Sequence, residues 1–140
     1  MPFPSKGRCA MSGRFFLDTN AIIELLKGNA EILKIIETAD FIACSVISDL
    51  EYRSFPGLLE TDARLIDEFL SRISVLDITH DDIELREKIA VIRRSKKIKL
   101  PDAIILASAK LNNCQLVTAD KELMKFSDHT DVIGFSTDKS

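Results

Sequence analysis

The chain has 140 residues, of which 46% are hydrophobic and 29% charged, a composition typical of one globular domain with a sizeable core. Its formal net charge of −3 excludes the strongly basic character of many nucleic-acid-binding domains, although basic residues can still be concentrated on one surface. No apolar run reaches the roughly 18 residues of a membrane span, and the N-terminal segment lacks the apolar region of a signal peptide. We therefore expect a cytoplasmic protein without a membrane partner.

Strands and helices are predicted to alternate after residue 13. Residues 1–13 are rich in proline and glycine and are predicted to be a flexible leader, in which Met11 is a candidate for the natural start. Short apolar runs predict strands at 14–18, 41–45, 73–78, 114–120 and 131–135. Helical spacing of apolar residues predicts helices at 19–28, 30–40, 46–55, 61–72, 79–97, 100–113 and 121–126.

This alternation predicts an α/β fold, a single three-layer domain over residues 14–140. Its sheet should have four to five mainly parallel strands with helices on both faces. Polar residues at the starts of helices are candidate caps: Thr19 or Asn20 for the first helix, Thr79 for the fifth and Asp102 for the sixth. The three cysteines have no C-x-x-C spacing, which argues against a thiolate zinc site.

Four acids occupy positions where a parallel sheet would bring them to one edge. Asp18 ends the first strand, and Glu51 lies one to two turns into the helix after the second. Asp102 opens the sixth helix, and Asp120 follows the fourth strand. Ligands of such sheets bind outside the carboxyl ends of the strands. Taken singly, each acid can equally stabilise a helix N-terminus or a turn, or face solvent.

Together, four converging carboxylates would repel one another unless some were protonated or a cation bound them. Mg²⁺ and Mn²⁺ prefer carboxylate and water oxygens, and such ions promote phosphoryl-transfer reactions. The sequence contains no serine nucleophile elbow, no phosphate-binding G-x-x-x-x-G-K-[ST] loop and no G-x-G-x-x-G. The acids are therefore the main candidates for chemistry.

Three blocks of the chain, in order, resemble the motifs of PIN-domain ribonucleases, and especially the VapC-type toxins of prokaryotic toxin–antitoxin pairs. They are FLDTNAIIELL, CSVISDLEY and LPDAIILASAKLNNCQLVTAD, and the similarity extends from about Phe15 to Phe135. The second block departs from the family pattern, with Asp49 before the glutamate and Arg53–Ser54–Phe55 where many relatives have a glycine.

The resemblance implies a metal-dependent endoribonuclease, the toxin of a pair, with an antitoxin as a candidate partner. It assigns Asp18, Glu51, Asp102 and Asp120 to catalysis and to binding of Mg²⁺ or Mn²⁺, with Glu51 on a metal-bound water or a second ion. Asn20 and Thr118 are candidates to orient these acids, although Asn20 could be only a helix cap and Thr118 only a strand residue. We expect Asp102 to cap its helix and to bind the metal.

A basic segment precedes Asp102 and is the candidate for RNA contact. It contains Arg93, Arg94, Lys96, Lys97 and Lys99, which could neutralise phosphates or simply form a solvated helix end. Arg14 is a further candidate. No aromatic-rich stacking surface is evident, so we expect recognition of the RNA backbone.

Two other classes of protein stay open, a catalytically silent PIN-like RNA-binding module and a Mg²⁺-binding phospho-receiver domain. A homodimer could use the apolar face of the first helix, which includes Ile22, Ile23, Leu25 and Leu26, although those residues could equally serve the core.

Overall fold

The computed structural model of the protein describes residues 13–95, 97–126 and 131–137, within which five strands alternate with seven helices. The predicted leader, except Gly13, lies outside the described residues. The strands are β1 (Arg14–Leu17), β2 (Phe41–Ser45), β3 (Ser74–Leu76), β4 (Gln115–Thr118) and β5 (Val132–Gly134). The helices are α1 (Thr19–Leu26), α2 (Ala30–Glu37), α3 (Val46–Arg53), α4 (Glu60–Leu70), α5 (Ile83–Ser95), α6 (Leu100–Leu111) and α7 (Lys121–Met124).

All five strands form one parallel sheet in the order β3-β2-β1-β4-β5. The predicted α/β fold with a parallel sheet flanked by helices is therefore confirmed. In the ladder, Leu17 pairs with Cys44 on one side and with Val117 on the other. The carboxyl ends of β1, β2 and β4 are thus level, so the residues that follow them meet at one edge.

Successive strand residues point to opposite faces of the sheet and build two cores. Phe16 and Leu116 belong to the core formed with α5 and α6, whereas Phe15, Leu17 and Val117 belong to the core on the other face with α1, α2 and α4. Because both faces are covered, the strands read as continuous apolar runs rather than alternating ones. The buried thiols of Cys44 and Cys114 belong to these cores.

The apolar face of α1 packs into the second core. Ile22 is fully buried, and Ile23, Leu25 and Leu26 pack against the same core. Of the two uses that the sequence leaves open for this face, the structure shows the core. The homodimer stays a prediction.

Helix α6 is the most deeply buried helix among the described residues, with every residue from Ala103 to Ala109 buried. Although it is apolar, no helix in the described part of the chain is long and apolar enough to cross a membrane. Packing on all sides fixes α6 against the sheet. The first turn of this rigid helix carries Asp102.

The predicted cap of α1 is wrong. Asp18, not Thr19 or Asn20, is the N-cap residue, and its Oδ1 accepts a hydrogen bond of 2.8 Å from the amide of Ala21. The reason is that β1 ends at Leu17, so Asp18 is the last extended residue before the helix. A capping carboxylate also interacts favourably with the positive end of the helix dipole.

The predicted start of α5 at Thr79 is also wrong. The helix begins at Ile83, where the Oδ1 of Asp82 accepts a hydrogen bond of 3.1 Å from the amide of Leu85. An aspartate three residues closer to the apolar run outcompetes the threonine as the cap. The structure describes the helix up to Ser95, and Lys97, its predicted last residue, lies outside it.

Asp102 does not cap α6. The N-cap residue is Lys99, without a side-chain capping bond, and Asp102 lies inside the first turn. Pro101 explains the difference, because a proline lacks the amide hydrogen and is well suited to the first turn of a helix. The helix therefore begins before the acid, and the prediction that Asp102 is a cap is wrong.

Candidate active site

A pocket of about 570 Å³ opens at the carboxyl end of the sheet. It lies where the chain order reverses between β1 and β4, the position at which open α/β sheets bind ligands. The four acids predicted from the sequence all line this pocket: Asp18, Glu51, Asp102 and Asp120. The other lining residues are Thr19, Asn20, Leu50, Ser54, Phe55, Lys99, Pro101 and Ile105.

Asp18 is the most buried of the four acids, with only 4% of its surface exposed. Both of its carboxylate oxygens are engaged. Oδ1 accepts from the amide of Ala21 at 2.8 Å, and Oδ2 accepts from the hydroxyl of Thr118. The first bond comes from the helix that follows Asp18 and the second from the neighbouring strand. The carboxylate is therefore held between two separate elements of the fold.

Burial raises the pKa of Asp18 from 3.8 to about 6, because the charged form is desolvated. The hydrogen bonds from Thr118 and Ala21 oppose this rise, whereas the nearby charges of Asp120 and Asp102 add to it. The fold thus keeps a carboxylate in a place where its own charge is unfavourable.

Thr118 links two of the acids. Its hydroxyl donates to Asp18 and accepts a hydrogen bond of 2.9 Å from the amide of Asp120. Asp120 is the N-cap of α7, and its Oδ1 accepts from the amide of Glu122 at 2.8 Å. Thr118 is a fully buried residue of β4. It therefore packs in the sheet and, through its hydroxyl, also orients Asp18.

Glu51 is positioned from α1, although it belongs to α3. The hydroxyl of Thr19 donates to Glu51 Oε1 at 2.5 Å and lies 3.1 Å from the hydroxyl oxygen of Ser48. Thr19 has a single hydroxyl hydrogen, and a carboxylate is the stronger acceptor, so Ser48 donates to Thr19. This chain of bonds fixes the carboxyl group of Glu51 next to the segment that carries Asp18.

Asp102 shares the electrostatic constraint of the pocket. Burial raises its pKa, and the charges of Asp120 and Glu51 raise it further, whereas Lys99 lowers it. Lys99 is the one cationic residue among the described residues that line the pocket. Its charge offsets only part of the repulsion among four carboxylates.

The donors in the pocket fit a hard divalent cation, because they are oxygens and their negative charges crowd one another. No three acidic, histidine or cysteine side chains of the described residues stand in a ready-made arrangement around one ion. Mg²⁺ does not require one, since it commonly retains several waters and takes one or two carboxylates. The residues present therefore fit such an ion.

The basic segment lies beside this site only in part. Lys99 is exposed and lines the pocket, whereas Lys97 is exposed in the connection that precedes α6. Arg93 and Arg94 are exposed in the last turn of α5. Lys96 lies outside the described residues.

Arg14 does not belong to the pocket, which corrects its assignment as a substrate contact. It begins β1, at the end of the sheet opposite the acids. Its guanidinium donates to the carbonyls of Asn112 and Asn113 at 2.9 and 3.2 Å and lies 4.3 Å from the centroid of the Phe41 ring. Arg14 therefore closes the turn between α6 and β4.

The departures of the second block from the family pattern form an ion pair network. Arg53 Nε donates to Asp49 Oδ1 at 2.7 Å within α3, and the same guanidinium bonds to Asp67 on α4. Asp49 thus has a partner and does not simply face solvent. The network joins α3 to α4. Glu51 lies midway between Asp49 and Arg53 in α3, and it lines the pocket.

Sequence reasoning missed three residues of the site. The sequence predicts only a capping role for Thr19 and no role at the site for Ser48, yet both help to position Glu51. Phe55 was noted only as a departure from the family pattern, yet it lines the pocket. The position of Thr19 next to an acid is a signal in the sequence, whereas only the fold brings Ser48 to Thr19 and Phe55 to the pocket. Asn20 is exposed and lines the pocket, and its orienting role stays a prediction.

A family model described as PIN domain matches residues 15–128 of this chain. Among solved structures, a toxin–antitoxin complex from Klebsiella pneumoniae is similar, with a TM-score of 0.68, 26% sequence identity and coverage of 84% of this chain and 94% of that chain. VapBC2 from Rickettsia felis, bound to a DNA fragment from its promoter, has a TM-score of 0.67 and 21% identity over 87% of this chain and 98% of that chain.

DNA-bound VapBC from Salmonella typhimurium has a TM-score of 0.64 and 21% identity over 86% of this chain and 97% of that chain. The last two structures show a shared fold. Comparison with curated protein sequences gives no match.

The substitution Asp18→Asn tests the buried charge in the metal-free protein. Because the pKa of Asp18 is raised to about 6 in the folded state, ionisation of this group costs the wild-type protein stability as pH rises from about 4 to about 6.5, and the variant lacks this contribution. Relative to wild type, the variant should gain up to roughly 3 kcal/mol across that range. Urea unfolding at several pH values, in chelator, measures the difference.

Asp81→Asn is the matched control, because Asp81 is exposed in the turn before α5. Its free energy of unfolding should follow that of wild type at every pH. Parallel pH profiles for Asp18→Asn and wild type would contradict the account of a buried, charge-crowded carboxylate.

Proposed function

Because the chain belongs to the PIN domain family, we propose that it is a metal-dependent endoribonuclease that acts in the cytoplasm as the toxin of a toxin–antitoxin pair. One observation carries the proposal: four carboxylates from four separate segments line one pocket at the carboxyl end of the sheet. Such a site is stabilised in its charged form by a bound cation, and the sequence contains no serine nucleophile elbow. Hydrolysis of a phosphodiester is the reaction that this combination supports.

Asp18, Asp102 and Asp120 are the proposed ligands of Mg²⁺ or Mn²⁺, directly or through water, and Glu51 is assigned to a bound water or a second ion. When bound, such an ion activates water and neutralises charge on the phosphoryl group. The chain itself contributes fixed positions for the ligands. Asp18 is held by α1 and β4, and Asp102 by the rigid helix α6.

Glu51 is held in a different way, since its anchor is the hydroxyl of Thr19 rather than the backbone of its own helix. Thr19 immediately follows Asp18, so the start of α1 contacts both acids. This coupling keeps Glu51 close enough to orient a water for attack on a phosphate held at the other acids.

Substrate binding is assigned to the basic segment: Arg93, Arg94, Lys96, Lys97 and Lys99. The acidic pocket alone would repel a polyanion, and the exposed cations at the end of α5 and before α6 offset that repulsion. Lys99 is the member that reaches the pocket. Its ammonium group can contact a phosphate next to the one that is cut.

A protein partner is part of the proposal. The structure from Klebsiella pneumoniae that shares 26% of its sequence with this chain is a toxin–antitoxin complex, and the match covers 94% of that chain. By analogy, we propose that an antitoxin binds this chain.

The alternatives differ in how well the fold supports them. A receiver domain has the strand order 2-1-3-4-5, whereas this sheet has the order 3-2-1-4-5. The fold therefore argues against the receiver. A silent RNA-binding module would have no need to hold Asp18 in a buried, charge-crowded position, so the nuclease is favoured.

We expect the purified protein to cut RNA with added Mg²⁺ or Mn²⁺ and to lose this activity in chelator. Asp102→Asn removes a hard anionic ligand but keeps the size of the side chain, so its cleavage rate should fall by at least about 100-fold. Gel analysis of single-stranded and structured RNA gives the rates.

Asp81→Asn, outside the pocket, should cut as fast as wild type. Cleavage that persists in chelator, or an Asp102→Asn variant as active as wild type, would sink the proposed mechanism. Binding of RNA without cleavage of any substrate would support the silent module instead.

The double substitution Lys97→Ala and Lys99→Ala tests the basic segment. If both side chains contact phosphates, fewer counterions are released on binding, and the slope of log affinity against log salt should become shallower by roughly 1.4 for single-stranded RNA. Affinity at low salt should fall as well. Fluorescence anisotropy of labelled RNA at several salt concentrations measures both quantities.

The matched control is Lys34→Ala with Arg72→Ala, which removes the same charge near the opposite end of the sheet, on α2 and just before β3. This control should keep the wild-type salt slope. Equal slopes in all three proteins would show that Lys97 and Lys99 are only solvated.

A further inference from the structure

Phe55 is an aromatic side chain that the fold leaves exposed at the acidic pocket. Its exposed fraction is 45%, and it is the one aromatic residue classed as exposed in the described part of the chain. The ring lines the same pocket as the four carboxylates and Lys99. Burial of a phenyl ring is favourable, so a ligand that covers this ring in the pocket would bind more tightly.

The Phe55 ring packs on one side against another aromatic ring. It meets the ring of Tyr52 edge to face, with 6.5 Å between the centroids and 64° between the planes. Tyr52 is 7% exposed, and its hydroxyl lies 3.5 Å from the carbonyl oxygen of Asp62. The amide of Phe55 also donates to the carbonyl of Tyr52 at 3.4 Å. The ring is therefore supported from behind by a buried residue.

The pocket thus has two chemically different parts. The carboxylates suit a cation and, through it, a phosphate, whereas Phe55 and the 53% exposed side chain of Leu50 form an apolar part of the wall. A metal ion with its waters would use only the first part. A nucleotide has both an anionic group and a flat apolar face, and so matches both.

We propose that Phe55 is a stacking platform for one unpaired base of the RNA whose phosphate lies at the acids. This inference rests on the proposed function and differs from the expectation of RNA-backbone recognition, which stays a prediction. Stacking on an aromatic ring requires a base that is free of its helix, so the substrate class is single-stranded RNA or a loop. Because every base has a stacking face, the platform gives preference for unpaired RNA rather than for a sequence.

A protein segment is the alternative occupant of this ring. Phe55 also borders an adjoining groove lined by Ile23, Leu26 and Leu65, among others. A base is favoured because the ring shares one pocket with the acids and Lys99, the groups that would hold the adjacent phosphates.

The chain contains no tryptophan, so Phe55→Trp introduces a single fluorescent reporter at the proposed platform. It is made together with Asp102→Asn to prevent cleavage, and it is titrated with hexaadenylate and with an abasic ribose-phosphate hexamer in Mg²⁺. Leu33→Trp is the control, because Leu33 is 42% exposed on α2, away from the pocket. End-labelled versions of both hexamers report binding by anisotropy.

Hexaadenylate should quench the tryptophan introduced at position 55, the abasic hexamer should quench it less than half as much, and the control should not respond. Equal quenching by the two hexamers, or bound RNA without quenching, would overturn the platform. Bound RNA without quenching would favour a protein segment as the occupant of the ring.

A second pair of variants carries a single substitution at Phe55 and keeps Asp102, so that cleavage can be measured. Phe55→Leu should raise the KM for single-stranded RNA about tenfold, the effect of losing one stacked base. Phe55→Tyr keeps an aromatic ring and should have a KM close to that of wild type. An unchanged KM in Phe55→Leu would overturn the inference.

The outcomes separate this inference from the proposed function. Cleavage by wild type without quenching in the variant overturns the platform alone. Base-dependent quenching without cleavage by wild type supports the platform and overturns the nuclease. RNA that is neither bound nor cut overturns both.

Discussion

The hydrogen bond from Thr118 to Asp18 is the interaction on which the site depends. It joins the carboxyl ends of β1 and β4 and holds a carboxylate that burial and neighbouring charges disfavour. The parallel register places these two residues side by side, since Leu17 pairs with Val117 one position earlier. The same hydroxyl accepts from the amide of Asp120, so one buried threonine orients two of the four acids. A site of this kind trades stability for a fixed arrangement of charge.

Three kinds of side chain meet around Asp18: acidic, basic and apolar. The carboxylates and Lys99 line the pocket, and further exposed cations lie in the segment before α6. Phe55 and Leu50 supply the apolar wall. Each part comes from a different segment, so their meeting depends on the order of the strands and on the packing of α1, α3 and α6 around the carboxyl end of the sheet.

The sequence was sufficient to predict the fold class, all five strands and the four acids that share the pocket. These features rest on strong signals, namely continuous apolar runs and acids at strand ends. The helix starts were less accurate. Asp18 and Asp82 replaced the threonines chosen as caps, because several adjacent polar residues can cap and the choice depends on where the strand or loop ends.

Contacts between distant segments could not be read from the sequence. The bonds from Thr19 to Glu51 and from Arg53 to Asp67 join different helices, and the ring of Phe55 reaches the pocket only because α3 ends there. Arg14 was assigned to the substrate because of its charge, but its place at the start of β1 puts it at the opposite end of the sheet.

The proposed chemistry requires a divalent cation among these four acids, and the position of bound Mn²⁺ tests this requirement. The paramagnetic ion broadens the NMR signals of nearby nuclei, so substoichiometric Mn²⁺ added to labelled protein reports where it sits. The account predicts selective broadening of the amide signals of Ala21, Asp102 and Asp120, with the signal of Asn113 at the opposite end of the sheet unchanged. Broadening centred elsewhere, or none at all, would contradict the account.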